Sequence, residues 1–192
     1  MEKQAKRVVE VYTEMTPNPE TMKFVADIPL FPGRSADFPD EESAKVSPLA
    51  TELFGFPFVK SVFIMNNFVT VTKTPDANWL EISGSLRQFI KDFLEEGKTV
   101  IDPDYKPAEA HGADEDAVVA KIKEMLEQYV KPAVEMDGGA IEFKSYRDGR
   151  LELMLQGSCS GCPSSMITLK AGIEGLLKRM VPEVKEVVAE SM

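Results

Sequence analysis

The pattern of apolar and polar positions in the first 97 residues predicts an α+β domain with the order ββαββα. Four stretches are rich in β-branched residues or alternate apolar with polar positions, as half-buried strands do. These stretches read RVVEVYTEM, MKFVAD, VKSVFIM and FVTVTKT. A turn at TPNPET separates the first two, and Asn66 and Asn67 favour a hairpin between the last two. Residues 28–46 are rich in proline and charge, which predicts a loop.

Two helices complete this first domain. SPLATELFGF predicts a short helix, because Ser47 is a good N-cap, Pro48 suits the first helical position and Gly55 ends it. DANWLEISGSLRQFIKDFLEEG predicts a longer helix that ends at Gly97. Its apolar residues recur every three or four positions, which places them on one face that we interpret as core. They are Trp79, Ile82, Leu86, Phe89, Ile90 and Phe93.

Residues 114–192 predict a second small domain with the order αββαβ. An aspartate, Asp114 or Asp116, caps its first helix, and Pro132 bends or ends that helix. AIEFKSY and LELMLQ form a hairpin, because the Asp-Gly of the intervening RDGR favours a two-residue turn. A second helix covers residues 164–181, and EVKEVVA forms a last short strand. The expected core residues are Val118, Ile122, Met125, Tyr129, Leu151, Leu153, Leu155, Met166, Leu169, Ile173, Leu176 and Met180.

Between the two patterns lies EEGKTVIDPDYKPAEAHGADED, which has glycine, proline and charge but almost no periodic apolar residues. Such a composition predicts a semi-flexible tether. We therefore place the two domains at residues 1–97 and 114–192, joined by a linker at residues 98–113. The single histidine of the chain, His111, lies in this linker, and we interpret it as a solvated side chain rather than a ligand.

Charge and hydropathy exclude several classes of partner. The formal net charge is −10 and the pI is about 4.7, so the chain lacks the basic surface that nucleic-acid binding requires. No apolar run is long enough to span a membrane, and the opening MEKQAKRVVEVYTEM lacks the apolar centre of a signal peptide. We therefore expect a cytoplasmic protein with neither a nucleic acid nor a membrane as partner.

Both cysteines of the chain, Cys159 and Cys162, lie in the loop LQGSCSGCPSSM between a predicted strand and a predicted helix. Ser160 and Gly161 are small, so the backbone can turn tightly between the two sulfurs. Pro163 suits the first turn of the following helix, whose N-terminus favours thiolate over thiol. We therefore expect both sulfurs to be accessible and ionised, and thiolates bind zinc, copper(I) or iron–sulfur clusters.

The number of thiols limits what this loop can bind. Iron–sulfur clusters and cysteine-only zinc sites usually have four thiolates, whereas this chain has two cysteines. A homodimer would supply four at a shared interface. From the residues alone a shared metal or cluster, a thiol-disulfide redox pair and two inert thiols all stay open. A zinc-bridged dimer is one form of the first.

At this point the sequence resembles a known family. EMDGGAIEF, followed by LELMLQGSCSGCPSSMITLKAGIEGLLKRMVPEVKEV, resembles the NifU-like C-terminal domain of the Nfu family of iron–sulfur cluster proteins. TPNPETMKF, SPLATELF and VKSVFI resemble the Nfu N-terminal domain. The resemblance covers nearly the whole chain and implies a cluster carrier or scaffold rather than an enzyme.

The resemblance also implies a cargo, ligands and partners. The cargo would be a [4Fe–4S] cluster, with [2Fe–2S] as the alternative, bound by Cys159 and Cys162 of two subunits. A homodimer bridged by the cluster would receive it from an upstream scaffold. It would then pass the cluster to apo iron–sulfur proteins by ligand exchange.

Overall fold

The computed structural model describes residues 8–106, 117–160 and 163–191. The chain divides into two compact units, residues 1–107 and 108–192. Each unit combines a sheet with helices, which confirms the predicted α+β class. Among the described residues, no helix has the length and apolar character needed to cross a membrane.

The described part of the first unit contains a five-stranded sheet with the order β1-β2-β5-β4-β3, in which all neighbouring strands are antiparallel. The β4–β5 hairpin turns at Asn66, whose φ of 46° lies in the left-handed region, as the Asn-Asn pair predicted. The strands are β1 Val11–Met15, β2 Thr21–Ala26, β3 Phe31–Phe38, β4 Val59–Asn66 and β5 Phe68–Lys73.

The prediction of a loop at residues 28–46 is wrong, because this stretch contains β3. The strand lies at the sheet edge and pairs with β4, with a bulge between Phe31 and Ser35. Gly33 within the bulge has a φ of 67°, and its N–H donates to the Asn66 side-chain oxygen at 3.0 Å. Edge strands tolerate proline and bulges, so a sequence that looks like a loop forms a strand once β4 supplies the hydrogen bonds.

Both predicted helices of the first unit are present, as α1 Pro48–Phe54 and α2 Trp79–Glu95. Ser47 caps α1 by accepting from the Ala50 N–H at 3.1 Å. The predicted stripe of α2 is confirmed as core, with Trp79 and Phe89 half-buried and the other members buried. Both helices pack on the sheet face that presents Phe24, Val62 and Val71.

Residues beyond the predicted end of this domain also pack against it. Ile101 is buried in the core of the first unit, and the Tyr105 ring lies 6.3 Å from that of Phe31. The Ser47 hydroxyl donates to the Val100 carbonyl at 2.7 Å. The part of the expected tether up to Lys106 therefore lies on the first unit, while residues 107–113 are outside the described residues. The domain boundaries themselves stay a prediction.

We expect Ser47→Ala to lower the free energy of unfolding of the first unit by about 1–2 kcal/mol, because it removes both the cap and the donor to Val100. The measurement is urea unfolding followed by the fluorescence of Trp79, the only tryptophan in the chain. Ser85→Ala is the matched control, since Ser85 is exposed and bonds only locally to Ile82. It should change stability by no more than about 0.5 kcal/mol. Equal effects of the two substitutions would contradict the role of Ser47.

The second unit has the predicted order αββαβ, and its described residues form a three-stranded sheet, β6-β7-β8. β7 lies in the centre, antiparallel to β6 and parallel to β8. Asp148 and Gly149 both have positive φ, 53° and 87°, as a tight Asp-Gly turn requires. The elements are α3 Ala117–Met125, a π-helical stretch Leu126–Val130, α4 Lys131–Met136, β6 Gly139–Arg147, β7 Arg150–Gly157, α5 Pro163–Met180 and β8 Glu186–Ser191.

One predicted core residue in the first helix of this unit is wrong. Tyr129 is 54% exposed, and Val130 occupies the buried face instead. The π-helical stretch before Pro132 widens the helical turn, and this shifts the buried face of the helix by one residue. The wider turn also accommodates the ring of Pro132, which has no backbone N–H to donate. The helix therefore continues through Pro132 to Met136. The predicted caps Asp114 and Asp116 lie outside the described residues.

The prediction that Met180 of α5 lies in the core is also wrong, because Met180 is 40% exposed. Leu177 and Val181 are fully buried in its place, while Leu176 is only half-buried. Neighbouring apolar residues near the end of α5 allow either face to meet the sheet, and packing in the core of the second unit selects the face with Leu177. Leu151, Leu153 and Leu155 are fully buried as predicted.

Candidate metal centre

The cysteine loop begins where the central strand of the second unit ends. Gly157 closes β7 with a φ of 65°, which a residue with a side chain would adopt only with strain. Cys159 follows two residues later, and α5 begins at Pro163. Cys162 lies outside the described residues, so the structure places one of the two predicted ligands, Cys159.

Cys159 is buried, in contrast to the expectation of an accessible sulfur. The residue is 7% exposed and belongs to the hydrophobic core of the second unit. Burial raises the pKa of the Cys159 thiol to about 11. The hydrogen bond with Ser158 lowers this pKa by a smaller amount, and the negative charge of Asp137 raises it further. Desolvation of the buried Cys159 thiol therefore works against the ionised form that the sequence predicts.

The turn between α4 and β6 packs directly against the cysteine loop. The Ser158 hydroxyl donates to the Asp137 carbonyl, and the Ser158 N–H donates to the Gly138 carbonyl at 3.3 Å. The Cys159 sulfur lies so close to Gly139 that a Cβ added there would be 2.9 Å from it. The same Cβ would be 2.7 Å from the Gln156 carbonyl oxygen.

The contact between Cys159 and Gly139 was not predicted from the sequence. The signal lies in the β6–β7 hairpin, whose Asp-Gly turn pairs Arg147 with Arg150. Counting outwards along the two strands brings the start of β6 opposite the end of β7, and the structure pairs Gly139 with Gly157. A bulge between Phe143 and Ser145 shifts that register by one residue, and no sequence pattern predicted the bulge.

The donors of this loop fit a soft metal but are too few in one chain. Among the described residues, no group of three or more His, Cys, Asp or Glu side chains could hold a metal ion. The chain has two cysteines in all, and four-coordinate thiolate sites need four donors. A four-thiolate site built on this loop therefore needs two thiolates from another molecule.

Comparisons with known proteins agree with the two-domain reading. Residues 11–97 match the family described as "Scaffold protein Nfu/NifU N terminal", and residues 122–188 match the "NifU-like domain". The human "NFU1 iron-sulfur cluster scaffold homolog, mitochondrial" is 41% identical over 182 residues, which cover 94% of this chain and 72% of the human protein. "NifU-like protein 4, mitochondrial" of Arabidopsis thaliana is 40% identical over 96% of this chain and 67% of its own length.

One solved structure is also similar. The solution NMR structure of a NifU-like protein from Saccharomyces cerevisiae has a TM-score of 0.45 and 26% identity, covering 54% of this chain and 92% of that one.

The names of the human and Arabidopsis relatives place those proteins in mitochondria, which does not fit a strictly cytoplasmic location.

Proposed function

This chain belongs to the Nfu family of iron–sulfur cluster scaffold proteins, and we propose that two copies of it hold one [4Fe–4S] cluster through Cys159 and Cys162. The observation that carries this proposal is the pair of thiols in the loop between β7 and α5, with no other cysteine in the chain. Two such loops supply the four thiolates that a cluster requires. The cluster is cargo, received from an upstream scaffold and passed to apo iron–sulfur proteins.

The proposed transfer is an exchange of ligands at iron. Each acceptor thiolate forms one Fe–S bond as one bond to Cys159 or Cys162 breaks, and the released thiolate takes up a proton. Iron and sulfide keep their oxidation states, so the exchange needs neither an oxidant nor a reductant. Such a protein holds and hands over its cargo without catalysing a reaction, in line with relatives that are named scaffolds.

Metal analysis of the protein as isolated, followed by anaerobic reconstitution with iron and sulfide, tests this proposal. We expect about four irons and four sulfides for every two chains, and a dimer by light scattering. About two irons for every two chains would indicate the [2Fe–2S] alternative.

Two other outcomes would overturn the proposal. Stoichiometric zinc that survives reconstitution would indicate a zinc-bridged dimer. A metal-free monomer that forms a reversible disulfide between Cys159 and Cys162 and reduces disulfide substrates would indicate a redox protein. The cytoplasmic location stays a prediction.

A further inference from the structure

We propose that the turn Asp137–Gly138 and Gly139, the first residue of β6, form a seat that holds the Cys159 sulfur inside the second unit in the metal-free protein. In this proposal Gly139 and Ser158 are positioning residues. Gly139 leaves room for the sulfur, and Ser158 ties the cysteine loop to the turn. The seat must release Cys159 before the sulfur can bind a cluster shared with a second copy.

The first support is the space at Gly139. A side chain there would place Cβ 2.7 Å from the Gln156 carbonyl oxygen, 2.9 Å from the Cys159 sulfur and 3.2 Å from the Cys159 backbone nitrogen. The φ of Gly139 does not fall in the left-handed region, so backbone freedom does not explain a glycine at this position. Glycine fits because the Gln156 carbonyl and the Cys159 sulfur both lie too close to leave room for a Cβ.

The second support is the double attachment of Ser158. Its hydroxyl donates to the carbonyl of Asp137 and its N–H to the carbonyl of Gly138, so two consecutive peptide groups of the turn hold one residue of the loop. Ser158 is buried and directly precedes Cys159 in the chain. Hydrogen bonds in such a buried position are costly to break, which favours the conformation in which Ser158 lies against the turn.

The closed seat has a consequence for loading. Cys159 is only 7% exposed, so its sulfur cannot be shared with donors from another molecule until Ser158 and Cys159 move away from the turn. We therefore expect Cys159 to be protected while Ser158 stays bound to the turn, and we expect binding of the cargo to favour separation of Ser158 from the turn. This step rests on the proposed function, whereas the protection of Cys159 does not.

The test is the rate at which iodoacetamide alkylates Cys159 in the metal-free full chain, read by mass spectrometry of the peptide that contains it. We expect Cys159 of the folded protein to react at least about tenfold more slowly than in concentrated urea at the same pH. Ser158→Ala should speed the reaction of the folded protein about tenfold, the factor expected when a buried hydrogen bond is lost. Ser158→Thr keeps the hydroxyl and should restore slow alkylation.

The matched control is Ser160→Ala, one residue beyond Cys159, which should leave the rate unchanged. The proposal is overturned if folded wild-type protein reacts as fast as unfolded protein, or if Ser158→Ala and Ser158→Thr react alike. If the protection is found but no cluster ever binds, the proposed function fails while the seat stands. If clusters bind and Cys159 is unprotected, the seat fails alone.

Gly139→Ala gives an independent measurement through thermal unfolding. It should lower the melting temperature of the second unit, and by less in a Cys159→Ala background, because part of the clash disappears with the sulfur. The matched control is Gly172→Ala on α5, where an added Cβ meets nothing within 4 Å. An equal effect of Gly139→Ala in both backgrounds would show that Gly139 does not position the sulfur.

Discussion

Replacing Cys159 with serine is expected to abolish stable binding of the cluster. In a dimer the substitution removes two of four thiolates, and serine is a poor ligand for iron in this setting. Changes to residues that only support a ligand already weaken metal binding about 10- to 100-fold, so loss of the ligand itself should cost at least about 100-fold. Iron and sulfide per chain after anaerobic reconstitution measure this effect, with light scattering to follow the dimer.

Cys162→Ser should behave in the same way, since both sulfurs are required. Ser160→Ala is the control within the same loop, and it should retain the iron content of the wild type. Full iron content in either cysteine variant would show that the cluster is not held by these two side chains. A dimer that persists in the cysteine variants would show that contacts other than the cluster join the two copies.

Leu177→Ala is expected to destabilise the second unit by about 2–5 kcal/mol, because it leaves a cavity at a fully buried position in the core of this unit. Such a loss is a large part of the stability of a small domain. Urea unfolding followed by far-UV circular dichroism reports it. The fluorescence of Trp79, in the first unit, provides a second transition recorded in the same experiment.

Met180→Ala, on the same helix, distinguishes the structure from the sequence pattern. The pattern placed Met180 in the core, whereas the structure exposes it, so this substitution should cost less than about 1 kcal/mol. A cost for Met180→Ala as large as that for Leu177→Ala would mean that α5 presents the other face to the sheet.

Local signals predicted the type of most elements. The cap Ser47, the Asp-Gly of the β6–β7 turn and the stop at Gly97 act within a few residues of chain, so their physics is present in the sequence. The strand β3 was missed because its pairing partner, β4, begins more than 20 residues away in the chain. Where propensity is weak, the hydrogen bonds offered by a neighbouring strand decide the outcome.

Choices between adjacent apolar residues also lay beyond the sequence pattern. Tyr129 and Val130 are both apolar enough for a core position. The π-helical stretch ahead of Pro132 places Val130 in the core and leaves Tyr129 exposed. Leu176 and Leu177 are neighbours in the chain, and packing of α5 against the sheet buries Leu177 fully and Leu176 only partly. Periodicity identifies a helix well, but a shift of one residue rotates the buried face.

The sequence by itself determined the number of thiols, their spacing and the elements on either side of them. Those properties are covalent or local, and with the family resemblance they led to Cys159 and Cys162 as ligands. Only the tertiary structure decided that Cys159 lies buried against Gly139, with Ser158 tied to Asp137. The reason is that these residues come together through the β6–β7 register, and burial depends on neighbours that are about 20 residues away in the chain.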